Sequence, residues 1–430
     1  MLKRFLNVKE GEAAPALLSF LYFFTLMCGY AILKPLRDGL AIEGGVRKLP
    51  WLITASFAVM LVAVPAFSAL VSRWPRRRVI PWVYRFFLLN LLGFFVLLKL
   101  GVEREWVARV FFVWVGVYNL FVVSIFWSFM ADLFASEQGQ RLFGFIAAGG
   151  TVGMVVGPFL AKTLAVPLGV ENLMLLSAVL LETSSQCVRL LSRRAVALHP
   201  RVSAREEPVG GGIFAGLRLL VASPFLLALG GQTLLYTATS TFLYFQQARL
   251  LEQAAQEASA LTALSANIDM WVQLTTLALQ VGVTGRFMPR FGLGAALAIT
   301  PLLTALGFVG LAVLPTLGML TVIKALRGAT HYAFERPGRE VLFTSVDREA
   351  KYKSKNFIDT VVYRGSDTAS SWLEKSLAGL GLGVAGVAVV AVPVAGLWLA
   401  VSLWLARHQR AQAPAPGPAV EPALRPDAAR

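Results

Sequence analysis

The sequence predicts an all-α polytopic membrane protein with twelve transmembrane helices in two pseudo-symmetric six-helix halves. Composition is the first observation, because 57% of the 430 residues are hydrophobic and only 15% are charged. The second is that apolar runs of about eighteen residues or more, the length that crosses a bilayer, recur along almost the whole chain. The third is an internal repeat that relates the two halves of the chain.

The apolar runs divide into twelve predicted spans joined by polar connections. Their approximate ranges are 15–37, 50–72, 81–100, 106–134, 142–165, 171–193, 222–247, 259–283, 291–313, 316–335, 356–379 and 384–406. The first run is too long for the apolar region of a signal peptide, and no small-residue cleavage site follows it, so we interpret it as a span. The predicted domains are an N-terminal half at 1–194, a cytoplasmic linker at 195–221, a C-terminal half at 222–406 and a disordered cytoplasmic tail at 407–430.

The charges of the connections predict the orientation of the chain. The even-numbered connections and both chain ends are rich in Lys and Arg, as at Arg76–Arg78, whereas the odd-numbered ones contain acids such as Glu103 and Glu171. Cytoplasmic connections carry the excess of Lys and Arg, so we expect both termini in the cytoplasm, at a bacterial inner membrane. Topology and lipid contact therefore explain the formal net charge of +16, and no nucleic-acid partner is expected.

An offset of 214 positions aligns the two halves of the chain without a gap. It pairs Pro75 with Pro289, Leu88 with Leu302, Gly93 with Gly307, Phe94 with Phe308, Arg141 with Lys355 and Phe143 with Phe357. Parallel six-helix halves, related by an axis along the membrane normal, are the arrangement of the major-facilitator superfamily of transporters. The predicted fold is therefore major-facilitator-like, with substrate binding between the halves near the midplane.

Two predicted spans carry charged residues where lipid would not tolerate them. Steps of three or four residues place side chains on one helix face, and two such faces follow one another: Lys324, Arg327, His331 and Glu335, then Asp359, Tyr363, Asp367, Ser371 and Glu374. A charge at the centre of a bilayer costs about 2.5–3.5 kcal/mol on insertion scales. We therefore expect both faces to contact protein or a water-filled cavity.

These charges, with others in the spans, form the predicted functional site. The candidate substrate-binding residues are Lys34, Arg37, Asn119, Lys324, Arg327 and Arg364, and the candidate coupling or gating residues are Asp132, Asp269, Asp359 and Asp367. Arginine suits an anion because its planar fork binds two oxygens of a phosphate or carboxylate. The basic residues thus predict a small-molecule anion as the substrate and the lipid bilayer as the surroundings.

Several of these residues have a structural interpretation beside the functional one. Lys34 and Arg37 either extend to the interface from the end of the first span or form a pair of cations at the cavity mouth. Asp269 either binds a coupling proton or cation, or pairs with Lys324 or Arg327. Asp132 forms either a gate ion pair near Arg141 or a substrate contact.

A run of small residues in the fifth span has two interpretations as well. Gly149, Gly153 and Gly157 precede Pro158 at helical spacing. The spacing is typical of helices that approach closely, and it also resembles a motif of proton-driven antiporters in the superfamily. We expect close packing.

Other chemistries are not indicated. Cys28 and Cys187 lie inside spans, so no disulfide framework is predicted. His199 stands alone in the linker, and nothing indicates a metal site or a cofactor. No nucleotide-binding glycine loop or nucleophile arrangement is present, so the protein is not expected to be an enzyme. The oligomeric state stays open.

Four segments resemble the ATP/ADP translocase family, the nucleotide exchangers of plastids and intracellular bacteria. They are YAILKPLRDGL after the first span, SIFWSFMADLF in the fourth, SPFLLALGGQTLLYTATSTFLYFQQ in the seventh and RPGREVLFTSVDREAKYKSKNFIDTVVYRGSDTA after the tenth. The family's Arg-x-x-Lys-Asp is similar to Lys34-Pro35-Leu36-Arg37-Asp38, and its Asp-Pro-x-Lys-Glu is similar to Arg336-Pro337-Gly338-Arg339-Glu340. The family's run of Asp and Lys is similar to Asp347, Lys351, Lys353, Lys355 and Asp359.

The resemblance implies a nucleotide-type transporter in which Arg37 stands at the position of a lysine that matters for transport. This sequence departs from the family at its acids. The middle of the fourth span offers Asn119, the seventh offers Gln232, Gln246 and Gln247, and Arg336 replaces the aspartate of the Asp-Pro motif. The resemblance therefore implies anion transport more strongly than it implies ATP/ADP exchange.

The leading functional prediction is a secondary transporter of an organic anion, such as a nucleotide or another phosphorylated metabolite, that works by alternating access. One alternative is a proton-coupled antiporter of another small molecule, in which Asp269 would be essential. The other is a non-transporting scaffold or sensor with a transporter fold. In that case the polar faces should pair internally and leave no continuous cavity.

Overall fold

The computed structural model describes residues 12–73, 76–134, 136–198, 213–343, 346, 354–355 and 357–412. Helices make up nearly all of these ranges, and no strand occurs within them. Several predicted features lie outside the described residues: the N-terminal cations, residues 199–212 of the linker, Asp347, Arg348, Lys351 and Lys353 of the basic loop, and the tail beyond residue 412.

The N-terminal half contains six long helices. They are α1 (Ala13–Glu43), α2 (Leu49–Arg73), α3 (Arg76–Lys99), α4 (Arg104–Leu133), α5 (Ser136–Leu168) and α6 (Val170–Leu198). Each lies over one of the first six predicted spans. A short 3₁₀ turn, Val46–Lys48, connects α1 to α2.

The C-terminal half is preceded by a short helix, α7 (Ile213–Ala222), which lies almost entirely in the predicted linker and whose Leu220 is buried. The half itself contains α8 (Pro224–Ala254), α9 (Ala258–Gly282), α10 (Thr284–Val313), α11 (Leu317–Thr330), α12 (Arg336–Leu342), α13 (Tyr363–Gly379) and α14 (Val384–Gln412). A π-helical turn, His331–Glu335, joins α11 to α12, and another, Ile358–Val362, leads into α13. The tenth predicted span, at 316–335, therefore corresponds to α11 and the first π-helical turn, and α12 lies beyond it.

Eight of the described helices are long and apolar enough to cross a membrane. They lie at Ala13–Glu43, Val46–Pro65, Ile80–Lys99, Arg104–Met130, Arg141–Leu168, Val170–Arg193, Arg290–Val313 and Val384–Gln409. Large apolar side chains on their outer faces, such as Trp82 and Val313, are 74% and 81% exposed, as expected for contact with lipid. The protein is thus an integral membrane protein. Besides the short helices α7 and α12, the described helices below this threshold are α8, α9, α11 and α13, which belong to the C-terminal half and carry its polar faces.

The first helix is longer than predicted. The first span was expected to end near residue 37, but α1 continues through Pro35 to Glu43. A proline is tolerated in a transmembrane helix when neighbouring groups satisfy the backbone that it frees. Lys34 and Arg37 therefore lie inside the helix. The interpretation that their side chains extend to the membrane interface from the end of the helix is wrong.

Helices α1 and α5 pack very closely. A Cβ atom built on Gly153 would lie 2.5 Å from the carbonyl oxygen of Phe24, and one built on Gly157 would lie 2.7 Å from that of Cys28. Any side chain at these positions would push the helices apart. The glycine run of α5 therefore serves close packing, as expected.

The apolar clusters indicate where the two halves meet. One cluster lies largely among α1 to α6, and another lies within the C-terminal half around Leu229, Leu342 and Leu405. A third is shared by both halves and joins residues such as Ile42 and Leu49 to Phe245 and Leu261. These positions lie where α1 connects to α2 and α8 connects to α9. The halves are thus closed against each other at that end.

Candidate substrate-binding site

A cavity of about 230 Å³ lies between the two halves, next to the closed end. Helices α1, α2 and α4 line it from the N-terminal half, and α8 and α13 line it from the C-terminal half. Its lining residues are Arg37, Ile53, Ser56, Phe57, Met60, Phe112, Gly116, Thr237, Ser240, Thr241, Tyr244, Tyr363, Arg364, Asp367 and Thr368. A site shared by both halves is suited to a substrate whose binding depends on their relative position.

Helix α13 contributes two charged residues to the cavity. The carboxylate of Asp367 accepts a hydrogen bond of 2.7 Å from the hydroxyl of Thr241 on α8. Arg364 is half-buried, and its guanidinium carbon lies 5.7 Å from the centroid of the Tyr363 ring. Among the described residues, no carboxylate forms an ion pair with Arg364. A half-buried cation of this kind can receive an anionic group of a ligand.

The guanidinium of Arg37 is held at the opposite wall. Its Nε and Nη2 donate to one oxygen of Asp38 at 2.9 and 2.7 Å, and its central carbon lies 4.7 Å from the ring centroid of Phe112. The hydroxyl of Tyr244 donates to the same Asp38 oxygen at 3.1 Å. Since Asp38 belongs to α1 and Tyr244 to α8, this network orients Arg37 and also links the two halves.

Aromatic rings and hydroxyls complete the cavity wall. Phe57, Phe112, Tyr244 and Tyr363 present rings, and Ser56, Thr237, Ser240 and Thr368 present hydroxyl groups. Rings can stack on a planar group of a ligand or cover its apolar part, while hydroxyls donate to oxygen atoms. The arrangement therefore suits an anion that also carries an apolar or planar portion.

Two predicted site residues meet in an ion pair between the halves. The ammonium of Lys34 on α1 donates to Asp269 on α9 at 2.6 Å. The pairing joins one candidate substrate-binding residue to one candidate coupling residue. Lys324 and Arg327 were predicted as the alternative partners of Asp269. Both contact other residues.

Lys324 and Arg327 lie outside the cavity lining. Lys324 donates to Oε1 of Gln247. One nitrogen of the buried Arg327 donates to the carbonyl of Tyr236 at 2.9 Å and to the hydroxyl of Ser240 at 2.6 Å. These contacts tie α11 to α8, and through Ser240 they reach the edge of the cavity.

The remaining predicted residues are more distant from the cavity or incompletely described. Asn119 is half-buried on α4, one turn from the lining residue Gly116. Asp359 is exposed in the second π-helical turn and accepts from Arg339 at 3.4 Å. Asp132 lies in α4, but its side chain is outside the described residues.

Sequence reasoning missed one face of α8. Thr237, Ser240, Thr241 and Tyr244 all line the cavity. Their spacing of three, four and seven residues is that of a single helix face. This polar face, inside a predicted span, was the signal that could have identified α8 as a lining helix.

Among the described residues, no group of His, Cys, Asp and Glu could hold a metal ion.

Comparison with known proteins gives a distant relationship in sequence. No protein-family profile matches the chain. The chain is 20% identical over 435 residues to ADP,ATP carrier protein 1 of Chlamydia trachomatis serovar D, an alignment that covers 85% of this chain and 82% of that protein. This finding supports the resemblance seen in the motifs.

Comparison with solved structures concerns the fold. A bacterial homologue of the iron transporter ferroportin in an inward-facing state is similar with a TM-score of 0.65 and 14% identity, over 91% of this chain and 98% of the homologue. A variant of the nucleoside transporter NupG gives a TM-score of 0.64 and 13% identity over the same shares. The fold is major-facilitator-like. The predicted all-helical, major-facilitator-like fold is confirmed, whereas among the described residues eight of the twelve predicted spans are long and apolar enough to cross a membrane. Each protein named here is a transporter, which agrees with the expectation that the chain is not an enzyme.

Proposed function

We propose that this membrane transporter moves an organic anion, a nucleotide or another phosphorylated metabolite, by alternating access through the cavity between its halves. The observation that carries the proposal is Arg364. Its guanidinium lies at the cavity with no ion-pair partner among the described residues, whereas Arg37 is already paired with Asp38. A bound phosphate or carboxylate would supply the missing partner through two parallel hydrogen bonds.

The chemistry around Arg364 favours a phosphorylated or carboxylated compound with a ring. Arg37 lies on the far wall as a second guanidinium, already paired with Asp38, and Phe57, Phe112 and Tyr363 offer rings for stacking. The similarity to ADP,ATP carrier protein 1, whose name specifies nucleotides, supports the same class of substrate.

The size of the cavity bears on how such a substrate would bind. Its volume of about 230 Å³ is below the roughly 300–1,000 Å³ that is usual for ligand pockets. We therefore expect the anionic group to occupy the cavity, with the rest of a larger substrate extending towards the open end. A smaller phosphorylated or carboxylated compound would fit entirely.

Alternating access is supported by the distribution of contacts between the halves. The Tyr244–Asp38 hydrogen bond and the bond from the Trp372 indole to Thr54 at 3.0 Å lie towards the closed end, and the Lys34–Asp269 ion pair lies deeper, at the middle of α9. These few polar contacts would have to break for the closed end to open. With the predicted orientation, this state is open to the cytoplasm.

The scaffold alternative is less well supported. It required polar faces that pair internally and leave no cavity, yet Arg364 and Asp367 both line a cavity and form no ion pair with each other. The anion proposal therefore accounts for more of the observed polar residues.

Ligand-dependent thermal stability of the purified protein tests the proposal. Nucleotides, inorganic phosphate and small carboxylates are added in turn, because a ligand that binds the folded state stabilises it by about 2.7 kcal/mol at one hundred times its Kd. We expect one anion class to raise the melting temperature of the wild type. Arg364→Lys should lose that shift, because a lysine cannot bind two oxygens in the same plane.

A matched control is Arg249→Lys. Arg249 is another largely buried arginine of the C-terminal half, paired with Glu374 and absent from the cavity lining. This variant should be less stable but keep the ligand-induced shift. The proposal is wrong if no anion stabilises the wild type, or if Arg364→Lys responds to every anion as the wild type does.

A further inference from the structure

We propose that His331 and Glu335 form the proton-binding site that couples this transporter to a pH gradient. The inference rests on the proposed transport function and extends it to a residue pair outside the cavity. The side chains belong to the π-helical turn between α11 and α12, and Nδ1 of His331 lies 2.6 Å from Oε2 of Glu335. Single π-helical turns occur frequently at functional sites.

The pair is buried within the C-terminal half. His331 and Glu335 are 8% and 2% exposed. At the short separation of the two atoms, one proton is shared between the imidazole and the carboxylate. A second proton would go to Nε2 of His331, which makes no hydrogen bond to the described residues. Uptake of that proton changes the net charge of the pair from −1 to 0.

The surroundings of the pair contain few other charges. Arg327 on α11 and Arg339 on α12 are the nearby cations, and Tyr236, Tyr332 and Tyr363 are the nearby phenols. Arg339 donates to Asp359 and to the hydroxyl of Thr233, so its charge is engaged elsewhere. Arg327 donates only to neutral oxygens of α8, so no ion-pair partner among the described residues neutralises its charge. This charge therefore acts on the His331–Glu335 pair. The charge of this group of residues therefore depends on whether the pair holds one proton or two.

A continuous set of contacts connects the pair to the cavity. The ring of Tyr236 stacks on His331 with centroids 4.2 Å apart, and the guanidinium of Arg327 lies 4.6 Å from the same ring. Arg327 in turn donates to Ser240, which lines the cavity. An anion bound beside Ser240 would favour the added positive charge on His331, because Coulomb interactions are strong in a medium of low dielectric constant. Proton uptake and anion binding should therefore promote each other.

This assignment replaces Asp269 as the residue that carries a coupling proton. Asp269 is in an ion pair with Lys34 that joins the two halves, an arrangement that suits a gate. Glu335, by contrast, has a titratable histidine as its partner. Histidine is the side chain whose charge changes between about pH 5 and 8.

Nuclear magnetic resonance of histidine-labelled protein tests proton binding without any substrate. The chain has three histidines, His199, His331 and His408, so the ring resonances are few and His331→Gln identifies the one of interest. We expect the His331 ring to take up a proton between about pH 8 and pH 5 in the wild type. Glu335→Gln should move the midpoint of this titration to lower pH, since it removes the negative partner of the imidazolium.

The matched control changes a buried glutamate elsewhere in the same half. Glu374 is 1% exposed and paired with Arg249, so Glu374→Gln makes the same chemical change away from His331. It should leave the His331 titration unchanged. A His331 ring that stays in one protonation state throughout the pH range, or whose titration is insensitive to Glu335→Gln, would overturn the proposal.

A second experiment measures coupling in proteoliposomes with labelled ADP as the probe. The wild type should accumulate ADP when a pH gradient is imposed, and Glu335→Gln should lose this accumulation while it retains exchange of external for internal ADP. Accumulation that is undiminished in the variant contradicts the proposal. A wild type that neither accumulates nor exchanges ADP contradicts nucleotide transport, and the histidine titration then still decides whether the pair binds a proton.

Discussion

Lys34 of α1 and Asp269 of α9 form an ion pair of 2.6 Å across the interface between the two halves. The residues are 235 positions apart in the sequence, and each lies well inside its helix. Asp38 of α1 and Tyr244 of α8 also bond across the interface. Together these contacts hold the halves closed at one end.

We predict that Asp269→Asn weakens the closed end. Breaking a buried ion pair by removing one partner costs about 3–5 kcal/mol, and the cost here should be smaller because the Lys34 side chain is 30% exposed. The population should shift towards a state open at this end. Spin labels at the exposed positions Arg47 and Leu380, one in each half, measure this shift in population, because opening lengthens the distance between the two labels.

The control for this prediction is Glu43→Gln. Glu43 pairs with Arg104 within the N-terminal half, at the same end of the protein. The substitution removes a carboxylate without removing a contact between the halves, so the distance distribution should resemble that of the wild type. Distributions that are equal in Asp269→Asn and Glu43→Gln would contradict a gating role for the pair.

We predict that Gly153→Ala destabilises the protein. The added Cβ would lie 2.5 Å from the carbonyl oxygen of Phe24 and 2.8 Å from the amide nitrogen of Cys28, both in the backbone of α1. Backbone atoms cannot move aside as a flexible side chain can, so the helices must separate. Overpacking of this kind costs about 1–3 kcal/mol, and the melting temperature in detergent measures it.

Gly144→Ala is the matched control in the same helix. A Cβ on Gly144 has no atom within 4 Å. This substitution should leave stability unchanged or raise it by about 0.4–1 kcal/mol, because alanine reduces the entropy of the unfolded chain. Equal melting temperatures for the two variants would show that the stability of the protein does not depend on the close approach of α1 and α5 at Gly153.

We predict that Val102→Cys is labelled from outside the cell and Ala411→Cys from the cytoplasm. The expectation follows from the excess of Lys and Arg in the even-numbered connections and at the chain ends. Both positions are exposed, and the natural Cys28 and Cys187 are buried, so they provide little background. Labelling of intact bacterial cells with a membrane-impermeant maleimide, before and after permeabilisation, distinguishes the sides. The reverse pattern would invert the predicted topology.

Much of the fold was predictable because hydropathy is a local property. Each predicted span lies on a helix wherever its residues are described, and the repeat places Phe94 and Phe308 at equivalent positions, both of them buried. Helix ends were less predictable. Pro35, together with the charges around it, indicated the end of a helix, but packing against α5, α6 and α9 allowed α1 to continue to Glu43.

The candidate site was only partly predictable. Arg37, Arg364 and Asp367 were recognised as polar residues in or beside apolar spans, and they do line the cavity. Lys324 and Arg327 carry the same signal but contact Gln247 and the backbone of α8. A charge within a span indicates that a side chain avoids lipid. It does not indicate whether that side chain meets a cavity or another helix.

The sequence by itself determined the class of this protein, its succession of helices and the faces that avoid lipid, because each depends on residues close together in the chain. The tertiary structure alone decided that Lys34 pairs with Asp269, that five helices share one cavity and that His331 lies against Tyr236. These relationships depend on the rotation and separation of helices that are distant in sequence. Packing between side chains sets both, and no local pattern encodes them.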